Sequence, residues 1–373
     1  MLSQPPAAAG ALTDNRKAQA TLTKEREDAI FDRLQKTIND LPNDDMRRQS
    51  FMNLDRFSSQ FVASIPFPGE IIGNSDLYQA YADYLGVPSE TMKAHAGLMI
   101  AGKPLDPYGN LLTNTTMVGD GWRRKHDINK WNIADWLKYA DVQHITEVYG
   151  LFASCVNQEE INDMPHRKRQ GLVPDFMINF GHIRSPELNE LKIVNHCRTY
   201  FNDHTVDVRC GGVSLRAGKV HNEYEAKSKK VDVKYNGFDP SSGGKGPMQR
   251  RLAEFGQVRA LVIGPRGEGS KDLHRLVTIT SEIAAERRWR GMGARNQQEA
   301  RAIIKCRMIR SIGITAVREA TRMKRERLGI VLGNETAASR TRQRAGQFAR
   351  TMREEYCASF GRGPGGRGSE RRH

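Results

Sequence analysis

The order in which two hydrophobic periods alternate between residues 126 and 290 constrains the fold of this chain most. Apolar residues three to four apart predict a helix from about Asp127 to Ala140, where Ile128, Trp131, Ile133, Trp136, Leu137 and Tyr139 form a wide face. Three stretches then read as strands: His144–Ala153, Val173–Phe180 and Leu188–Val194. A polar helix over roughly Asn222–Lys234 separates them from Val258–Ile263, the most apolar strand of the chain. The glycine-rich turn Gly264–Ser270 lacks the Gly-Lys-Ser/Thr ending of a P-loop, and reads as a turn that lets the next helix, Lys271 to about Arg290, pack on the sheet. Helix, three strands, helix, strand, helix is the pattern of an α/β layer domain with a mixed sheet flanked by helices.

The flanks are of a different kind. Residues 1–20, rich in Ala, Pro and Gln, read as disordered. Residues 21–100 read as a helical region, with one helical pattern from Leu22 to about Val62 and a second helix from Asn74-Ser75-Asp76 to Tyr84 that ends at Gly86. A turn-rich linker is expected over 101–125, the core over 126–290 and a basic helical region over 291–336. The tail, 337–373, is rich in Arg and Gly and reads as a disordered arm. The expectation is thus a core with helical N- and C-terminal extensions.

Charge narrows the partners. Lys and Arg total 58 against 43 Asp and Glu, a formal net charge of +15. Such an excess favours a polyanion, because neutralising phosphates releases counterions. The five cysteines are scattered, with no C-x-x-C pair and no secretory signal, so reduced thiols in the nucleus or cytoplasm are expected. No apolar stretch approaches the ~20 residues that span a bilayer.

The chemistry concentrates in two short motifs. Asp175, in Pro174-Asp175, heads one strand, and Glu190-Leu191-Lys192 lies on the next. Strand residues two apart share a face, so Glu190 and Lys192 project together while Leu191 enters the core. A hairpin brings Asp175 beside Glu190, and two adjoining carboxylates repel unless a hard divalent cation relieves them. Mg²⁺ (or Mn²⁺) held by Asp175 and Glu190, with Lys192 positioning water or stabilising charge on a phosphate, makes sense of the set. The plain alternative is a surface hairpin of solvated charges. Basic residues His166, Arg167, Lys168 and Arg169 run into the first motif, and Tyr224, Lys227, Lys229, Lys230, Lys234 and Tyr235 follow the second. Both groups suit a DNA backbone. Glu147 reads as an outward strand carboxylate more readily than as a further ligand, His221 and His274 as structural or exposed, and Trp122 as a core residue or a base-stacking one.

These motifs resemble the PD-(D/E)xK superfamily of restriction endonucleases and Holliday-junction resolvases. A wider resemblance covers roughly residues 58–290. Gly102-Lys103-Pro104-Leu105-Asp106-Pro107-Tyr108-Gly109, Arg124-Lys125-His126-Asp127 and the block from Gly246-Pro247 to Asp272-Leu273-His274 look like the restriction-like endonuclease region that follows the polymerase in certain eukaryotic retroelement reverse transcriptases. The resemblance implies a Mg²⁺-dependent DNA endonuclease with Asp175, Glu190 and Lys192 catalytic. The chain holds no aromatic-x-Asp-Asp polymerase turn, so two origins stay open: the separated C-terminal part of such an element, which would have a reverse transcriptase as partner, or a derived protein that kept only the nuclease region. Those proteins carry a zinc knuckle around the Asp-Pro-Tyr-Gly turn. Here the corresponding places read Met99-Ile100-Ala101-Gly102 and Asn110-Leu111-Leu112-Thr113-Asn114, and His95 and His126 alone do not close a zinc site, so no zinc is expected. Two alternatives remain open: an inactive DNA- or RNA-binding module that retains the nuclease fold, and RNA binding through the Arg/Gly tail.

Overall fold

Proline and glycine divide the first hundred residues into one long helix and several short ones. The computed structural model describes residues 7–65, 67–156, 173–181 and 185–333. Helix α1 (Ala7–Asn39) is followed across Pro42 by α2 (Met46–Asn53), whose N-cap Asp45 accepts the Arg47 N–H at 2.8 Å. Then come α3 (Gln60–Ala63) and α4 (Asn74–Leu85), which stops where Gly86 turns left-handed at φ +67°. Two expectations are corrected here. The chain is helical from Ala7, not disordered through residue 20, because an alanine-rich run pays little side-chain entropy in a helix. The single helical run expected over Leu22–Val62 is three helices, since Pro42 and the Asp45 cap end one and start the next.

The expected linker 101–125 is packed structure. After α5 (Glu90–Ala94), β1 (Met99–Ile100) pairs with β2 (Lys103–Pro104), and α6 (Asn110–Asn114) precedes α7 (Gly121–Tyr139). The Asp106 carboxylate gathers the N–H groups of Tyr108 (3.1 Å), Asn110 (3.1 Å) and Leu111 (2.7 Å), which makes the Asp-Pro-Tyr-Gly turn rigid. Met92, Ile100, Leu105, Leu112 and Leu328 close an apolar cluster beneath it.

The sheet is small and mixed, and among the described residues helix is the larger part of the structure. Its order is β3 (Gln143–Thr146), β4 (Phe176–Asn179), β5 (Glu187–Ile193), β6 (Arg259–Ile263); the first two pairings are antiparallel and β5–β6 is parallel. The strand expected over His144–Ala153 is shorter than that: Glu147 turns left-handed at φ +50° and Gly150 at +74°. The link from β5 to β6 contains α8 (Asp203–Val206), α9 (Gly211–Tyr235) and α10 (Pro247–Glu254); α11 (Lys271–Arg288) and α12 (Gln297–Val331) follow the sheet.

Alternation along the strands explains the layers. Phe176, Ile178, Leu191, Leu261 and Ile263 face Ile133 and Leu137 of α7, Leu273 and Leu276 of α11, and Ile304 and Met308 of α12. Leu188, Ala260 and Val262 face the other way, onto Val213 and Val220 of α9 and Met248 and Leu252 of α10. β6 is therefore apolar on both faces, as a strand covered by two layers must be. Ser270 caps α11 by accepting the Leu273 N–H at 3.3 Å, which is how the Gly264–Ser270 turn seats that helix.

Helix α12 corrects the last boundary. It is a core helix and not a C-terminal extension, because its apolar residues recur at helical spacing and find α7 and α11 waiting. Its basic residues serve the interior too. Arg327 donates to the carbonyls of Leu112 (2.6 Å) and Thr115 (2.9 Å), Lys324 to Asp83 (2.7 Å), and Arg325 to Asp76 (2.6 Å).

Candidate active site

Strand register brings the two motifs together. Phe176 pairs with Asn189, which sets Asp175 opposite Glu190 at the mouth of the β4–β5 hairpin. The Leu191 N–H donates to Asp175 Oδ2 at 2.9 Å, and the Asp175 N–H points at Glu190 Oε2 at 3.4 Å. Leu191 is fully buried on one face, while Glu190 and Lys192 share the other and form an ion pair through Glu190 Oε1. Asp175, Glu190 and Lys192 thus converge on one spot.

Tyr224 belongs to the same spot and not to a DNA-facing surface. This corrects the sequence expectation. Its ring is buried in the α9 layer and its hydroxyl donates to Glu190 Oε2 at 2.6 Å. Burial first, and then the Glu190 charge, push the phenol pKa far up, so it remains a donor. The cause is helical phase: Tyr224, Ser228 and Asp232 recur every four residues on the buried face. Lys227, Lys229, Lys230 and Lys234 fall between them and are exposed. Lys227 lies 5.7 Å from the Tyr224 ring centroid, and Lys234 4.7 Å from that of Tyr235. Arg167, Lys168 and Arg169, with His166, lie outside the described residues, as does the tail 337–373.

Sequence reasoning missed three residues of α7. His126 Nδ1 lies 2.9 Å from Asp127 Oδ1, and its Nε2 lies 3.2 Å from the Leu191 carbonyl and 3.4 Å from Asp175 Oδ2. Burial disfavours an imidazolium there, but the hydrogen bonds to Asp127 and Asp175 outweigh it and lift the pKa to about 9. The ring is therefore a doubly protonated donor at neutral pH. Burial likewise works against the Asp175 charge, yet His126, Lys130 and Lys192 hold its carboxyl below the usual range. Lys130, almost wholly buried, links Asp127 at 3.4 Å to the Glu147 carboxylate. Glu147 also accepts the Tyr149 hydroxyl at 2.6 Å, which ties it to these partners. The available signal was the spacing of His126 and Lys130, four apart on one helix face.

The donor set suits a hard cation. Among the described residues no three His, Cys, Asp or Glu side chains form a ready-made metal cluster. Mg²⁺, however, needs only one or two carboxylates and keeps water as its other ligands, and Asp175 and Glu190 are the two carboxylates here that could hold it. Three other histidines are engaged elsewhere: His95 Nδ1 with the Thr91 carbonyl (2.8 Å), His221 Nδ1 with the Val258 N–H (3.2 Å), and His274 Nε2 with Asp55 (3.0 Å). Trp122 donates its indole N–H to the Thr113 carbonyl at 2.6 Å and lies under Arg327, a packing role. No helix among the described residues is long and apolar enough to cross a membrane. Compared with family models, curated proteins and solved structures, the chain matches none.

Proposed function

We propose that this chain is a Mg²⁺-dependent DNA endonuclease with a restriction-like, PD-(D/E)xK-type core, derived from a retroelement. The observation that carries the reading is the β4–β5 register, which sets Asp175 against Glu190 with Lys192 on the same face. Asp175 and Glu190 would hold Mg²⁺ (Mn²⁺ in its place), which supplies an activated water and charge neutralisation on the phosphate. Lys192 orients that water or balances the charge growing on the phosphoryl oxygens. His126 fixes Asp175 and Tyr224 fixes Glu190, so both carboxylates are oriented before substrate arrives. Lys227, Lys230 and Lys234 lie on the exposed side of α9 and hold the DNA backbone, a contact that carries little sequence information. A reverse transcriptase supplied by another chain is the partner this origin implies, and the Arg/Gly tail is suited to RNA.

Plasmid nicking tests the reading. Glu190→Ala and Lys192→Ala proteins should bind DNA as the parent does and leave supercoiled plasmid intact in Mg²⁺. Parent-like cutting by both variants ends the assignment.

One observation favours a second reading, a binding module that retains this fold without cleaving. Both Glu190 oxygens are already engaged, Oε1 by Lys192 and Oε2 by Tyr224. Titration with Mn²⁺ separates the two readings. A nuclease gains thermal stability through Asp175 and Glu190, whereas an inactive module gains none.

A further inference from the structure

Away from the strand motifs, a small polar cavity lies where α2, α4, α6, α7 and α12 meet the segments that follow β5 and β6. Lys125 and His126 are consecutive on α7 and so point to different sides of that helix. Lys125 lines the cavity with Asp83 of α4, Asn195 and His196 after β5, Arg266 after β6 and Lys324 of α12. Its volume of about 20 Å³ exceeds the room a single water needs.

The charges in its wall do not balance. Lys125, Arg266 and Lys324 are each at least nine-tenths buried, and Asp83 is the one carboxylate among the lining residues. Asp83 is already taken by Lys324 at 2.7 Å. Lys125 donates to a neutral partner, Asn195 Oδ1, at 2.6 Å, and among the described residues no carboxylate lies within ion-pair distance of it. Arg266 donates through Nε to the Asp83 carbonyl at 3.2 Å, and its Nη1 has no partner among the described residues. Glu268, buried but outside the lining, offsets part of the Arg266 charge. Three cations against one lining carboxylate still leave the wall positive, and a buried cation short of counter-charge is costly. The field of the cluster shows in its neighbours. Burial, then Arg327 and Lys324, lower the Lys125 ammonium to about 7; burial, then Arg266 and Lys324, lower His196 to about 3.

We propose that this cavity binds a small inorganic oxyanion of the phosphate class, held by Lys125, Arg266 and Lys324. The planar guanidinium fork matches two oxygens of such an ion, and the two ammonium groups act as point charges on the others. The ion supplies the missing charge at the junction of the N-terminal helices, the sheet and α12. The inference does not rest on the nuclease reading.

Thermal unfolding of the full chain tests it, with inorganic phosphate replacing chloride at constant ionic strength. The Tm of the parent should rise with the logarithm of phosphate concentration. That response should vanish in Lys125→Met and Arg266→Met and persist in the Lys227→Ala/Lys230→Ala/Lys234→Ala triple variant. If the cavity variants do not fold, calorimetric titration of phosphate into the parent and the surface triple variant decides. One site of equal affinity in both supports the cavity. The proposal is overturned by no phosphate response in the parent, by a response lost with the surface lysines, or by one retained in Lys125→Met.

Discussion

The Tyr224 hydroxyl donates a 2.6 Å hydrogen bond to Glu190 Oε2, and so a residue of α9 sets the orientation of a carboxylate on β5. Removing that hydroxyl as Tyr224→Phe leaves the ring in place. A hydrogen bond to a charged group contributes about 1.5–3 kcal/mol, so the denaturant midpoint should fall by a corresponding amount. Under the proposed function, plasmid nicking should fall with it while DNA affinity stays put. An unchanged midpoint would mean that the bond contributes nothing in solution.

The exposed lysines of α9 make a different prediction. Replacing Lys227, Lys230 and Lys234 with alanine should weaken binding to unrelated DNA duplexes to the same extent. The slope of log affinity against log salt should become shallower by about 2 to 3, close to one unit for each phosphate no longer neutralised. Filter binding or anisotropy over a salt series reads this directly; a sequence-dependent weakening would contradict a backbone role.

Glu268 carries a pH signature. It is fully buried behind the Gly264–Ser270 turn, and burial raises its carboxyl to about 7 from 4.5, with Arg266 opposing. A raised acid pKa means that the folded chain holds the proton more tightly than the unfolded chain. Its contribution is therefore intact below pH 4.5 and is lost as pH climbs towards 7, by at most about 3 kcal/mol. Glu268→Gln can still accept the Arg266 N–H and does not titrate. Chemical denaturation at pH 5 and pH 8 should show the variant gaining on the parent at the higher pH; a constant difference between the two proteins refutes the buried acid.

Gly313 tests how closely α12 is packed. A Cβ there would lie 2.1 Å from the Phe57 carbonyl oxygen, a backbone atom that cannot swing away. Alanine favours a helix over glycine by about 1 kcal/mol, yet overpacking costs about 1–3 kcal/mol, and this approach is at the severe end. Gly313→Ala should lower stability by about 2 kcal/mol, read as a shifted urea midpoint. A stabilised variant would show that α12 does not sit against Phe57.

Much of the core was legible in the chain because its signals are local. The apolar run Val258–Ile263, the strand-like stretch Leu188–Val194, the helical spacing in Asp127–Ala140 and the Gly86 stop each depend on residues within a few positions of one another. The same locality placed Leu191 in the core and Glu190 and Lys192 on a shared face. What escaped was set by partners far along the chain. Residues 297–331 read as a basic appendage until their apolar stripe met α7 and α11, since composition gives a helix's content and not its neighbours. Tyr224 read as a surface residue until the fold turned its face of α9 onto Glu190. His126 became part of the site only when α7 was laid across the end of β5, within reach of Leu191 and Asp175. By itself the sequence determined periodicity, caps and the pair of motifs, all interactions of short reach. Tertiary structure alone decided which charges are buried together and which side chains hold the carboxylates, because burial and electrostatic partnership are properties of the packed whole.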